Sequence, residues 1–408
     1  MSHAVGIEDI TAMRYVFWAS LTAVIYTYIL YPILLVCLVM MSRIWRSIRS
    51  GWKGRDAPLV TAQERTFLPT VSLVFAAFNE QSVIAAKMLN CRALDYPSDS
   101  FETLIGCDGC TDHTAELARA NRSSRTCVLE YGVRSGKPTV LNRLLARARG
   151  EIVVFTDANT MLDPQSIRNL VRHFANPSVG CVSGLLHLRN PRDEPGGEGL
   201  YWRYETFLKT LEGRLNMLLG ANGAIFAIRR ELYSALPPGC VVDDFVISMR
   251  IRARGHGLLL DPAAVAFEVA APSVRGEFSR HARIGAGNFQ AIRYTWKLLN
   301  PFSGRIGFAY WSHKILRWLV PFAMMAAFVS SVALFGELPY RMAALGFSLF
   351  GLMGVWGYWQ ETQGRRTSLV IPYYFLAMNA ALFLGFIRFI RGSQPTAWQR
   401  TAREDTSG

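Results

Sequence analysis

The chain has 408 residues, a formal net charge of +14 and 51% hydrophobic residues, which leaves room for one large soluble domain and something more apolar. Its seven cysteines are scattered, which excludes a disulfide scaffold and fits a reducing compartment. No basic helix or aromatic-basic ribbon stands out, so the positive charge points to membrane surface and phosphate, not to nucleic acid.

Residues 15–41 carry no charge and exceed the stretch of about 20 apolar residues that crosses a bilayer. The run is too long for a signal-peptide core and has no small-residue cleavage site before the basic stretch, so it reads as a retained anchor. Arg43, Arg46, Arg49, Lys53 and Arg55 follow it directly, which places the next domain in the cytoplasm, as at a bacterial inner membrane. Residues 318–336, 342–360 and 367–387 are further uncharged runs. The expected organisation is an anchor with a basic juxtamembrane segment (1–56), a soluble domain (57–300), and an interfacial segment with membrane helices (301–408). One conflict arises. Three spans after a cytoplasmic domain put the C-terminus outside, whereas Arg388, Arg391, Arg400 and Arg403 prefer the inside, unless the last run does not fully span.

Within the soluble part, "APLVTAQERTFLP" (57–69) reads as the entering linker. Short β-rich runs then follow at 70–76, 101–106, 126–130, 151–156 and 180–186, with helical stretches such as "TDHTAELARA" and "PTVLNRLLARA" between them. That alternation predicts an α/β fold with a mainly parallel sheet covered by helices. "RDEPGGEG" (192–199) reads as a polar, glycine-rich loop. The strand ends share a feature. The first runs into Phe78-Asn79-Glu80, the second into "CDGCTD" with Asp108 at its tip and Thr111 or Asp112 placed to cap the next helix, and the fourth into Asp157 and Asn159. Three successive loops bring acids to the edge where ligands bind in open α/β sheets.

Other motifs are set aside. Cys107 and Cys110 form a CxxC with no second pair at zinc spacing. "GVRSGKPT" (132–139) has three residues between its glycines and Pro138 at the Ser/Thr position of a Walker loop, although Lys137 can still meet a phosphate. "GAGN" is too short for a dinucleotide fingerprint, and no HxxxH or HExxH occurs. Asp243 and Asp244 stand just before an amphipathic helix, where capping explains one acid more easily than two. Arg280 and Arg283 are three apart on a helix and share a face, so spacing alone leaves a solvated or lipid-facing patch open.

Taken in order, "VSLVFAAFNE", "CDGCTD", "GKPTVLN", "TDANT", "GANGAIFAIRRELY" and "VVDDF" resemble the motifs of membrane-integrated family 2 glycosyltransferases of GT-A fold. That group includes cellulose, chitin-oligomer and hyaluronan synthases. The resemblance covers residues 70–317 and the arrangement of spans around them. It implies that Ala76, Phe78 and Glu80 line a nucleoside pocket, that Asp108 contacts the base, and that Lys137 lies near the nucleotide. Asp157 and Asn159 would hold ribose, diphosphate and a divalent metal, Mg²⁺ or Mn²⁺. Asn222 falls in the acceptor-side segment, Asp243 and Asp244 in the D-D motif whose second acid matches the catalytic base, and Arg280 and Arg283 in the Q-x-x-R-W element that contacts diphosphate.

Two departures stand out. Asn159 replaces the usual second aspartate, and an amide oxygen still suits those cations. Arg280 and Ile284 stand where processive relatives carry glutamine and tryptophan, which puts processivity in doubt. The expected reaction is inverting transfer from a nucleotide sugar, a UDP-sugar on the strength of Asp108, to a glycan acceptor at the cytoplasmic face in polysaccharide synthesis. The alternatives are transfer of one sugar to a lipid-linked acceptor and a catalytically dead scaffold in an export complex. An anionic lipid diphosphate could dock beside the basic "WSHKILRW" (311–318).

Overall fold

The computed structural model describes residues 7–49, 66–189, 197–269, 274–302, 304–363, 365 and 369–392. Lys53, Arg55, Arg400, Arg403 and most of the expected linker and of the 192–199 loop lie outside the described residues.

The five expected strands form: β1 (Val71–Ala77), β2 (Phe101–Asp108), β3 (Thr126–Tyr131), β4 (Ile152–Thr156) and β6 (Val179–Arg189). They are joined by β5 (Met161–Leu162), β7 (Ile225–Arg229) and β8 (Gly257–Val269) in one sheet of order β3-β2-β1-β4-β7-β6-β8-β5. The β3-β2-β1-β4 half is parallel, as expected of strands alternating with helices. The other half is mixed. β7 runs antiparallel to both β4 and β6, β5 runs antiparallel to β8, and β6 and β8 are parallel. Every residue of β1 and β4 is buried, because helices cover both faces of the sheet.

Two apolar cores result. One face packs Leu73, Phe75, Ile84, Met88 and Ile105. The other, with Val74, Leu104, Val140 and Phe155, continues without a break into Tyr31, Leu35, Tyr310 and Trp318 of the apolar helices. The sheet is thus packed continuously against the apolar helices.

Among the described residues, four helical stretches are long and apolar enough to cross a membrane: Glu8–Trp45, Arg305–Ala333, Leu338–Thr362 and Val370–Ile390. The first and third meet through Phe17 and Tyr340, with ring centroids 4.9 Å apart. The fourth behaves differently. Early in its length Tyr373 packs on Tyr358 and Leu376 on Gly354, near the end of the preceding helix. Late in its length Phe386 lies 5.0 Å from Phe289, on the Val274–Thr295 helix of the soluble domain. The last helix thus packs on the soluble domain and on the other apolar helices alike, with Phe386 also 4.8 Å from Phe322.

Candidate active site

Backbone turns at the ends of β1 and β2 are tied together first. Asn79, at φ 51°, accepts from the Thr111 amide at 2.9 Å and donates to its hydroxyl at 3.0 Å. Thr111 is therefore occupied, and Asp112 does the capping, accepting from the Thr114 amide at 3.0 Å and the Gln81 amide at 3.2 Å. Asp108 is 2% exposed and accepts from the Ser135 and Gly136 amides at 2.7 and 2.8 Å and from the Ser135 hydroxyl at 3.1 Å. It fastens the loop that delivers Lys137. A carboxylate has about four lone-pair sites, so room remains for one more donor such as a base N–H. Gly109 needs its positive φ of 63° here, since a Cβ would lie 2.7 Å from the Arg134 amide nitrogen. Arg134 in turn covers the Phe78 ring at 3.6 Å.

Glu80, Lys137, Asp157, Asn159, Asn222, Asp243, Asp244, Arg280 and Arg283 line one cavity of about 420 Å³. Nine of the residues singled out in the sequence are thus brought together. Ala76, Phe78 and Asp108 lie off it. Ala76 is 2% exposed in the core, and the other two belong to the adjoining Arg134 loop.

Lys137 opens the helix Lys137–Leu145 and reaches Asp157 at 2.8 Å and Asp243 at 3.2 Å. Burial alone would lower the lysine, but Asp157, Asp243 and Asp244 outweigh it and hold the ammonium well above its ordinary value. The two aspartates form the first turn of the helix Asp243–Ala253 instead of preceding it. That helix is buried on nearly every side, so the expected amphipathic pattern is replaced by burial between β8 and the Val274–Thr295 helix. Asp244 carries the consequence. Burial, then the like charge of Asp243, push its carboxyl above the usual aspartate range, against the opposing pull of Lys137 and Lys209. Backbone at Gly223 comes close enough that a Cβ there would lie 3.1 Å from Asp244 Oδ2.

Arg283 faces these acids from the Val274–Thr295 helix without a hydrogen bond or ion pair among the described residues. Burial and the neighbouring Arg280 lower its pKa, while Asp243, Asp157 and Asp244 oppose them. A half-buried guanidinium without a partner among the described residues is costly, which marks a place suited to an anion.

Sequence reasoning missed three contributors. Glu268 accepts from the Asn159 amide at 2.6 Å, so a carboxylate stands against the position where relatives carry an acid. It lies on β8, a strand the sequence reading did not identify. Lys87 is fully buried behind the Asp157 loop, donating to Thr156 Oγ1 at 3.2 Å and to the Thr160 carbonyl. Its place on an early helix gives no sequence signal for that role. The third is an ionic network below the cavity. Glu205 accepts from Lys314 at 3.0 Å and Arg317 at 2.6 Å, and His313 and Tyr31 both bond Glu212 Oε1, at 2.7 and 2.8 Å. The basic residues of "WSHKILRW" are therefore already neutralised within the protein.

The comparisons agree with this geometry. The model of the family described as "Glycosyltransferase like family 2" matches residues 69–287. A beta-monoglucosyldiacylglycerol synthase of Synechocystis sp. is 24% identical over 314 residues, covering 72% of this chain and 65% of that protein. A poly-beta-1,6-N-acetyl-D-glucosamine synthase of Staphylococcus aureus is 23% identical over 239 residues, covering 55% of this chain and 56% of that one. The match thus spans less than two thirds of either relative's length. Among solved structures, a mannosyltransferase from Pyrobaculum calidifontis in complex with GDP-Man and Mn²⁺ superposes with a TM-score of 0.65, at 23% identity, over 93% of this chain and 99% of that one. That likeness establishes the GT-A fold across the soluble domain and the apolar helices together. With the family model covering more than half of its residues, the chain belongs to the family 2 glycosyltransferases.

Proposed function

We propose that the protein moves a sugar from a nucleotide-sugar donor, a UDP-sugar, to an acceptor at the cytoplasmic face of a membrane, with inversion at the anomeric carbon. One observation carries the reading. A single cavity holds a raised carboxyl, Asp244, together with a half-buried guanidinium, Arg283, that has no partner among the described residues, and with the Asp157–Lys137 pair. A proton acceptor facing an anion site is what a single displacement needs. Asp244 takes the proton of the attacking hydroxyl, and Arg283 with Lys137 receives the diphosphate charge as it leaves.

The donor set at the Asp157 loop fits a hard divalent cation. Asp157, Asn159 and Glu268 offer oxygen, and the described residues hold no group of three His, Cys, Asp or Glu that would form a complete protein cage. Mg²⁺ and Mn²⁺ suit such partial sets because they keep waters and substrate phosphates as ligands. When bound, the ion would supply Lewis-acid neutralisation of the diphosphate. Activity should require Mg²⁺ or Mn²⁺ and vanish in excess EDTA. Full activity in chelator would remove the Asp157 loop from the reaction.

The sequence favoured polysaccharide synthesis, and the relatives include both a polysaccharide and a glycolipid synthase. Arg280 and Ile284, standing where processive relatives carry glutamine and tryptophan, favour short products. A donor panel on detergent-purified full-length protein, including UDP- and GDP-sugars with Mg²⁺ or Mn²⁺, tests the reading through nucleotide release and product length. A single added sugar or a short ladder is expected. Long chains without intermediates would establish processive synthesis instead.

A further inference from the structure

The cavity does not end at the acids. Its far wall is made by Tyr28 of the first apolar helix and by Met378, Asn379 and Leu382 of the last. Asn379 sits on a helix that is otherwise almost wholly apolar and is 8% exposed. Its Nδ2 donates to the Phe375 carbonyl at 2.9 Å, one turn back, and its Oδ1 is buried without a partner among the described residues. An unmade acceptor in such surroundings is destabilising, so the oxygen needs a donor brought by something else. The helix that carries Tyr28 is irregular. Tyr28 lies in a π-helical turn, Tyr26–Leu30, and a second π-helical turn, Tyr310–Ile315, faces it through a 2.8 Å contact between Tyr26 Oη and Ser312 Oγ. Such turns inside long helices recur at functional sites. Tyr28 and Phe375 meet edge to face at 5.1 Å and form the contact between the two helices.

Charge narrows the occupant. Lys314 and Arg317 are held by Glu205 and are not available to a lipid phosphate, contrary to the sequence expectation. Lys209 is the remaining lysine on this side, and burial depresses its pKa although Glu205 and Asp244 pull the other way. At this apolar end, away from Arg283 and Lys137, the cations are paired with Glu205 or disfavoured by burial, and the polar atom left without a partner among the described residues is an acceptor.

We propose that the acceptor is a bilayer lipid with a neutral, hydroxyl-rich head group (a polyol or a first sugar), which enters sideways between the first and last apolar helices. This rests on the transferase reading above. One head-group hydroxyl donates to Asn379 Oδ1, and another attacks the anomeric carbon. The new C–O bond forms as the bond to the diphosphate oxygen breaks, the hydroxyl proton goes to Asp244, and the nucleoside diphosphate leaves with the electron pair. The acyl chains stay in the bilayer throughout, so the product departs by the same route.

Full-length protein in phosphatidylcholine vesicles, supplied with radiolabelled donor, tests this. Three acceptors are compared: glucosyl-diacylglycerol in the membrane, glucosylglycerol in solution, and a polyprenyl phosphate in the membrane. Label is expected in the lipid extract with glucosyl-diacylglycerol, at least about tenfold more than with either other acceptor. Asn379→Leu, which removes a buried orphan acceptor and should fold, is expected to raise the KM for the lipid about tenfold. Met378→Trp, narrowing the entrance, should do the same, with the donor KM of each variant reporting whether the site is still assembled. Nucleotide release with label in glucosylglycerol or polyprenyl phosphate as readily as in the glycolipid would overturn the inference alone, as would an unchanged lipid KM in Asn379→Leu. Absence of nucleotide release from every donor would overturn the transferase reading and this inference with it.

Discussion

Asp244→Asn should lower turnover by about 10²–10⁴ while leaving the donor KM within about threefold, as expected when a general base is lost and ground-state binding is kept. The asparagine has the same shape, so the close approach of Gly223 and the buried helix start are preserved. The pH profile gives an independent check. The base works only when deprotonated, and burial with Asp243 raises the Asp244 carboxyl. The acid limb of kcat should therefore lie above the pH at which an ordinary aspartate titrates. Removing the like charge with Asp243→Asn lowers that carboxyl, so the limb should move to lower pH. Removing the attraction of Lys209 with Lys209→Met acts in the opposite sense, and the limb should move up. Wild-type turnover in Asp244→Asn would place the base elsewhere, and limbs moving in the reverse directions would refute the electrostatic account.

The central strands were the plainest in the sequence because their residues face apolar surroundings, whereas the half-exposed β3 was legible from its β-rich composition. β1 and β4 are buried along their whole length and therefore read as unbroken apolar runs. β8 was not legible because it alternates between buried and exposed positions and contains Asp261 and Pro262. The two antiparallel insertions, β5 beside β8 and β7 between β4 and β6, are short, and short apolar runs do not reveal direction. The same distinction holds at the site. Asp157, Asp243 and Asp244 announce themselves because acids at strand ends and helix starts are unusual in a row. Glu268 and Lys87 do not, since each acquires its role only through contacts made far along the chain: Glu268 with Asn159, and Lys87 with Thr156 and Thr160. The basic residues near 314 misled for the converse reason. Their charge is plain in the sequence, while the acid that pairs with both Lys314 and Arg317, Glu205, lies about a hundred residues earlier.

Arg283→Ala should separate activity from stability, and both effects should be large enough to measure. Arg283 is half-buried beside Arg280, without an ion pair among the described residues, and Lys137 already engages two of the acids it faces, Asp157 and Asp243, so its charge is only partly compensated. Such a residue costs folding free energy and is retained for what it binds. Truncation should therefore raise the unfolding midpoint of the ligand-free protein in detergent by about 2–4 °C, the shift expected for roughly 1 kcal/mol in a domain of this size. Turnover should fall by about 10²–10³, comparable to the loss of one donor aimed at developing oxyanion charge. Binding provides the link between the two. A ligand that binds only the folded state raises its stability in proportion to the logarithm of saturation. UDP with Mn²⁺ should therefore stabilise the wild type clearly more than Arg283→Ala. If the variant is instead less stable without ligand, and gains as much from UDP as the wild type does, Arg283 is a packing residue and the diphosphate is received elsewhere. Arg283→Lys sharpens the assignment. A point charge restores part of the attraction but not the planar two-pronged geometry, so turnover should recover only partly.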